Sequence, residues 1–509
     1  MKKTINILGC IFAILIISIS CKKDWLDTAP TDQLASGSLF KDLGAIKATI
    51  IGLNRYRFAH NELDVHQYSV GDWTYNLQCD ALAGDFTETA DDYFTMWGTQ
   101  LELHWTMADS RLVSVCWRHP YKQIANANVI IDGLNQLTSA SAEKDYLMAQ
   151  ALIYRAYYYH RLVQVYAKPI SMTPDAPGVP LQLKGNSLEM LPRSTVAQVY
   201  DQILTDLGIA EALLTGNATP RDNKTFADLS VVKGLYARVY SCMHNWNKVK
   251  EYAAEARVGY PIMSKEDWQN GFFVSNAEWM WQSSCMSKEE NNYVAAIPAF
   301  ICNYDGYPQA WGFAVCISKQ LIDHVSSSDV RAHGRSTQTD SLIVDEKTPS
   351  SYDRSQYYYN KFTIKDPTGE KYDLVHMRAS EMLLLEAEAD LELNNEAGAR
   401  ILLKELLAKR CDDSEAYINA IPNGIAKVMS ELKIQRRLEL WCEGFAYLDL
   451  KRRETGLTGE DNAFKTNGQM DAKNGRAATA DIPVTDGWFT WLIPASAVNY
   501  NTLLEQNTY

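Results

Sequence analysis

Two stretches of the chain gather side chains suited to holding a ligand without breaking its bonds. The first carries Asp72, Trp73, Tyr75 and Asn76, followed by Asp80, Trp97 and Gln100. The second carries Asn303, Tyr304, Asp305, Tyr307, Gln309 and Trp311. Flat rings stack on apolar faces, while acids and amides beside them hydrogen-bond polar groups. Both clusters fall in stretches without a helical stripe, about 60–110 and 259–375, and long loops of this kind usually carry function. Any single ring there has a plainer alternative, wedged into the core of its own loop.

Covalent chemistry finds less support. The chain has no H-E-x-x-H, G-x-S-x-G, G-x-x-x-x-G-K or G-x-G-x-x-G motif, and its nine histidines lack ligand spacing. The acids Asp85, Glu88, Asp91 and Asp92 resemble a calcium loop only in charge. They lack the EF-hand spacing and its central glycine, so they read as a solvated loop. No metal or cofactor is expected. A glycoside hydrolase needs two carboxylates across a cleft, and 62 acidic residues leave that alternative open.

Composition narrows the partners. With 509 residues, 46% hydrophobic and 22% charged, the chain can bury a large core and is neither low-complexity nor collagen-like. Its net charge of -13, which becomes -15 without Lys2 and Lys3, repels a phosphate backbone, and no basic stripe offsets it. Nucleic acid is therefore not an expected partner. Thirteen Trp and 28 Tyr against 14 Phe favour rings with a polar handle, as half-wet surfaces require.

Residues 1–20 read as a secretory signal: Lys2 and Lys3, an apolar stretch from Ile5 to Ile19, and small residues at Ser18 and Ser20. The apolar stretch is too short to span a bilayer as a helix. Cys21 then stands where lipoprotein signals place the acylated cysteine, although Ser18 replaces the commoner Leu. A stable anchor would need more than one chain, at about 0.8 kcal/mol per buried methylene. Past Cys10 and Cys21, the eight cysteines Cys79, Cys116, Cys242, Cys285, Cys302, Cys316, Cys411 and Cys442 form no C-x-x-C pair. Their spacing specifies no disulfide framework, and several sit in helical patterns as small buried residues.

The positioning elements are helices in pairs. Helices are expected over 148–166 and 196–214, with helix–turn–helix units over 229–258 and 382–406. Ile434, Leu438, Trp441, Phe445 and Leu448 recur at steps of 4, 3, 4 and 3, which predicts one continuous helix with Trp441 in its buried stripe. Glu278 to Gln282 reads as a short strand with Trp279 and Trp281 in the core. Each hairpin must bury its stripe on a neighbour, so the fold class is mainly α: a tetratricopeptide-like hairpin scaffold with loop-rich insertions and minor β-structure.

At the motif level the chain resembles the starch-utilisation-system D (SusD/RagB) lipoproteins. The resemblance begins with Trp25-Leu26-Asp27 and Pro30 behind Cys21, and continues through Arg155-Ala156-Tyr157-Tyr158-Tyr159, Leu162 and Pro169. Arg193, Tyr200, Asp206-Leu207 and Ala210 follow, then Gly234 to Tyr240 with Trp246, and Arg378-Ala379-Ser380-Glu381 with Glu386-Ala387-Glu388. The longest signature is Arg436 to Leu440, Glu443-Gly444, Asp449-Leu450 and Arg452, before Ile493-Pro494, Asn501 and Gln506-Asn507 at the end. Gln435, Ala446 and Ala497 depart from the pattern, which carries Glu, Arg and Glu there. The charges of the long signature are expected to be solvated or paired across hairpins.

The resemblance implies a fold and a role: a SusD-like domain over 21–509 whose loop-rich lobe, about 60–110 and 259–375, binds ligand. It further implies a non-enzymatic, lipid-anchored outer-membrane receptor facing the exterior. Such a receptor captures oligo- or polysaccharide, in some members peptide, and sits as a hinged lid over a SusC-like TonB-dependent transporter. Binding residues differ between members, so they rest on the physical argument. Rings for the C–H faces of sugars, with acids and amides for vicinal hydroxyls, select Asp72, Trp73, Tyr75, Trp97, Asn303, Tyr304, Tyr307 and Trp311. A partner of the channel that makes no ligand contact of its own is the structural alternative.

Overall fold

The computed structural model describes residues 42–59, 69–88, 107–286, 297, 301–302, 315–332, 359, 361–363, 371–462 and 480–508. The signal, Cys21 and the Trp25 motif lie outside them. In chain order the elements are α1 (Leu43–Tyr56), α2 (Asp72–Leu82), β1 (Phe86–Glu88), α3 (Arg111–Gln136), α4 (Ala142–Tyr166), α5 (Val196–Leu214), α6 (Leu229–Cys242) and α7 (Trp246–Ala256). There follow α8 (Lys265–Gln269), β2 (Trp279–Cys285), β3 (Val315–Ile317), α9 (Lys319–Ile322), β4 (Tyr372–Arg378), α10 (Ala379–Glu392), α11 (Glu396–Leu407), α12 (Ser414–Ala420), α13 (Ile425–Glu439), α14 (Ala446–Arg452) and α15 (Ala495–Tyr500). The mainly α expectation holds.

The hairpins use one turn chemistry twice. α6 ends and His244 takes a left-handed φ of 54° before Asn245 caps α7 through the Lys248 N–H. After α10, Asn394 does the same at 62° and Asn395 caps α11 through Gly398. A polar residue that tolerates φ > 0, followed by an Asn N-cap, ends one helix and starts the next within three residues. α4 packs between α3 and α5, and the α6–α7 pair lies against α10. Leu383, Leu384, Leu403, Leu406, Val428 and Leu432 close a second apolar cluster among α10, α11 and α13.

Two sequence expectations fail here, for physical reasons. The stripe from Ile434 to Leu448 is not one helix: α13 stops at Glu439 and α14 starts at Ala446. Between them Cys442 and Gly444 take φ of 59° and 87°. A Cβ on Gly444 would lie 2.7 Å from the Cα of Asn76, so only glycine lets this backbone touch α2. The second correction concerns the stretch 60–110, expected to be irregular. It contains α2, whose eleven residues are all buried. A helix enclosed on every face needs no apolar stripe, so periodicity cannot reveal it.

Both sheets are two-stranded and antiparallel. β2 pairs β4 with Ser283 opposite Leu374 and Cys285 opposite Tyr372, and its register shifts around Trp281. Trp279, Trp281 and Trp441 are core residues, as expected. β1 pairs β3 with Phe86 opposite Ile317, Thr87 opposite Cys316 and Glu88 opposite Val315. Cys79, Cys116, Cys242, Cys285, Cys302, Cys411 and Cys442 are buried. Among the described residues, no helix is long and apolar enough to cross a membrane and no cluster suits a metal.

Candidate ligand-binding site

Three of the eight expected contact residues are described, and the structure turns all three inward. Asp72, fully buried at the start of α2, accepts from Arg57 Nε at 2.9 Å and from Tyr158 OH at 3.0 Å. His119 Nε2 lies 3.0 Å from the same carboxylate. Burial alone would raise its pKa, but Arg57, Arg161 and His119 outweigh that and hold the carboxyl well below the usual range. The ring of Trp73 is fully buried and meets Phe362 edge-on at 5.6 Å. Tyr75 donates to the Arg161 carbonyl at 3.1 Å, and the Arg161 guanidinium covers its ring at 3.8 Å. These side chains wedge α2 into the scaffold and are withdrawn as surface contacts. Trp97, Asn303, Tyr304, Tyr307 and Trp311 lie outside the described residues, as do Gln100, Asp305 and Gln309.

Farther along α2, Asn76 accepts from Arg161 at 2.9 Å, and Asp80 accepts the N–H groups of Gly444 and Ala446 at 2.9 and 3.0 Å. Asp80 thereby caps α14. Its burial pushes the carboxyl up to about 8, and the two N–H bonds offset only part of that. Asp85 is buried, not solvated, and pairs with Arg437. Glu88 is described only as backbone, and Asp91 and Asp92 lie outside the described residues.

The charges of the long signature are paired but sealed from water. Arg378 binds Glu439 at 2.8 Å, Glu443 at 2.7 Å and Glu278 at 3.1 Å, all of them buried. Arg410 grips Glu439 at 2.6 Å, and Lys361 reaches Glu443 at 2.6 Å. Arg436 and Arg452 share Asp449 at 2.6 and 2.9 Å. Gln435, the departure from Glu, accepts from Arg331 at 2.6 Å. Glu443 and Asp449 are held below the usual carboxylate range because these cations outweigh burial. Carboxylates tied this way hold their protons poorly and cannot serve as general acids.

A cavity of about 60 Å³ opens among Tyr75, Asn76, Arg161, Arg238, Glu443 and Asp449. It has room for a few waters, far short of the roughly 300 Å³ at which ligand pockets begin. The frame therefore offers no seat for a sugar chain there.

The frame also pairs two short strands that are far apart in sequence, β1 and β3. In the antiparallel β1–β3 ladder, Glu88 stands opposite Val315. The last residue of β1 and the first of β3 thus stand at one end of the ladder. Sequence spacing gave no sign of this, since the strands are three residues each and more than 200 residues apart.

Comparison with known proteins follows the same lines. Residues 58–241 match a family described as starch-binding, associating with the outer membrane, and residues 280–509 match the SusD family. SusD-like protein P2 of Formosa agariphila is 22% identical over 497 residues, 90% of this chain and 92% of that protein. A SusD superfamily protein of Bacteroides thetaiotaomicron superposes with a TM-score of 0.73 at 20% identity, covering 92% of this chain and 100% of that one. A SusD-like carbohydrate binding protein of Bacteroides vulgatus gives 0.72 at 20% identity, with 91% and 97% covered.

Proposed function

Because the chain belongs to the SusD/RagB family, we propose that it is a nutrient receptor that captures oligo- or polysaccharide at the cell surface and passes it on uncleaved. Its anchor is Cys21, acylated after removal of residues 1–20, and it faces the exterior of the outer membrane. The recipient is a SusC-like TonB-dependent transporter. Capture is assigned to Trp97, Asn303, Tyr304, Tyr307 and Trp311, with rings on sugar faces and the amide on hydroxyls.

One observation carries this reading: β1 ends at Glu88 directly opposite the start of β3 at Val315, and in sequence Trp97 follows the first while Asn303 to Trp311 precede the second. Two further facts support it. The interior cavity is too small for a saccharide, and the acids around it are committed to arginines, which leaves no free carboxylate pair for hydrolysis among those lining it. The description of one matched family as starch-binding and the carbohydrate-binding relative from B. vulgatus favour saccharide over peptide.

The test is affinity electrophoresis of the mature chain in gels holding laminarin, amylopectin, xyloglucan or galactomannan. Trp97→Ala, Tyr304→Ala and Trp311→Ala should each weaken retention on whichever polysaccharide slows the wild type, by roughly 0.5–1.5 kcal/mol per stacked ring. Unchanged retention in all three would place the site elsewhere.

A further inference from the structure

The cavity between α2, α4, α6 and the α13–α14 junction is too small for a saccharide, yet its walls are strongly cationic. Four guanidinium groups line it, those of Arg161, Arg238, Arg436 and Arg452, against two carboxylates, Glu443 and Asp449. Three of the four cations have carboxylate partners. Arg238 clasps Glu381 through Nε at 2.7 Å and Nη2 at 2.6 Å. Arg436 and Arg452 share Asp449, and Arg452 also holds Glu388 at 2.6 Å. The second lining acid, Glu443, is engaged by Arg378 and Lys361.

Arg161 is the exception, for it forms no ion pair among the described residues. Its Nη1 donates to Tyr157 OH at 2.8 Å, and its Nη2 to the Asp72 carbonyl at 3.0 Å and to Asn76 Oδ1 at 2.9 Å, all three neutral acceptors. The Asp72 carboxylate is taken by Arg57 at 2.9 Å. Arg161 is only 9% exposed, and a guanidinium so enclosed is costly without a counter-charge. His160 lines the same cavity and does not compensate it: burial, with Arg238 and Arg161 beside it, pushes the imidazole down to about 3 and keeps it neutral. The space of about 60 Å³ compares with roughly 10–15 Å³ for one water, and a halide ion is little larger than water.

We propose that this cavity binds one small monovalent inorganic anion, chloride being the abundant example, with the Arg161 guanidinium supplying the counter-charge and donor N–H groups. The site stands independently of the receptor reading. It would neutralise the one unmatched cation on the cavity wall, where α2 and α4 meet the long signature.

The experiment melts the full mature chain at fixed ionic strength while sodium chloride replaces sodium gluconate, whose anion is too large for the cavity. Bound chloride should raise Tm by about 1 °C for each tenfold increase above its dissociation constant. Arg161→Gln should lose that rise. Arg257→Gln, which removes a charge 22% exposed on the outer hairpins, should keep it. Wild-type crystals soaked in sodium bromide should show an anomalous peak in the cavity against Arg161.

A cavity without a bromide peak holds water alone and overturns the proposal. A peak with no chloride response of Tm, or with a response that Arg161→Gln retains, marks an adventitious ion only and overturns it as well. Should Arg161→Gln not fold, the wild type decides: the peak and the Tm rise together support the site, and the absence of either overturns it.

Discussion

The outer hairpins and the α13–α14 junction are built from the same residue types and use them in opposite ways. On the hairpins, Arg257 of the α7 C-cap reaches Glu405 on α11 at 2.9 Å, with the two side chains 22% and 41% exposed. At the junction, Arg378, Glu439 and Glu443 meet with almost no exposure. An ion pair in water gains little because solvent serves each charge nearly as well. A sealed charge has no such alternative, so each one depends on its partners. A motif rich in Arg and Glu therefore says nothing about stability until its enclosure is known.

That contrast ranks the substitutions. Arg378→Met should be the most damaging, because it takes one buried cation from Glu439, Glu443 and Glu278 at once and leaves only Arg410, Arg331 and Lys361 to serve them; a loss of roughly 3–5 kcal/mol is expected from urea denaturation midpoints. An equal loss in Glu405→Gln would erase the distinction between the two regions.

Asp80 comes next, and its effect depends on pH. Its folded pKa, pushed up to about 8, lies above the usual carboxylate value, so the unfolded chain gives up this proton first. Its contribution is fully present below about pH 4 and is lost as pH rises through about 8. Between pH 5 and 8 the wild type should lose stability from this group, by roughly 1 kcal/mol per pH unit, and Asp80→Asn should flatten that slope. Parallel slopes for the two proteins would show that burial does not shift Asp80.

Smallest is Glu405→Gln, about 0.5 kcal/mol or less, since Arg257 keeps Glu386 at 2.9 Å. The same urea titration checks it.

Sequence reading succeeded where one face of an element is wet. α5, the α6–α7 pair and α11 each show a stripe, and Asn245 and Asn395 mark the turns. It failed where an element is enclosed or the chain doubles back. α2 shows no stripe because every side is covered, so Trp73 and Tyr75 looked like loop rings. The stripe through Trp441 kept helical spacing across a break that Gly444 alone could have signalled. The contact of Arg437 with Asp85 joins positions 352 residues apart, beyond the reach of any local pattern. The charges of the long signature read as solvated or paired across hairpins; the pairing is there, and nothing in their spacing reveals the layers packed over them.

Capture without cleavage is open to one direct measurement. The purified mature chain is incubated with the polysaccharide that retains it, and both bound saccharide and newly formed reducing ends are followed over time. Stable binding with no rise in reducing ends is expected. A steady release of reducing ends, or no binding to any polysaccharide offered, would contradict it.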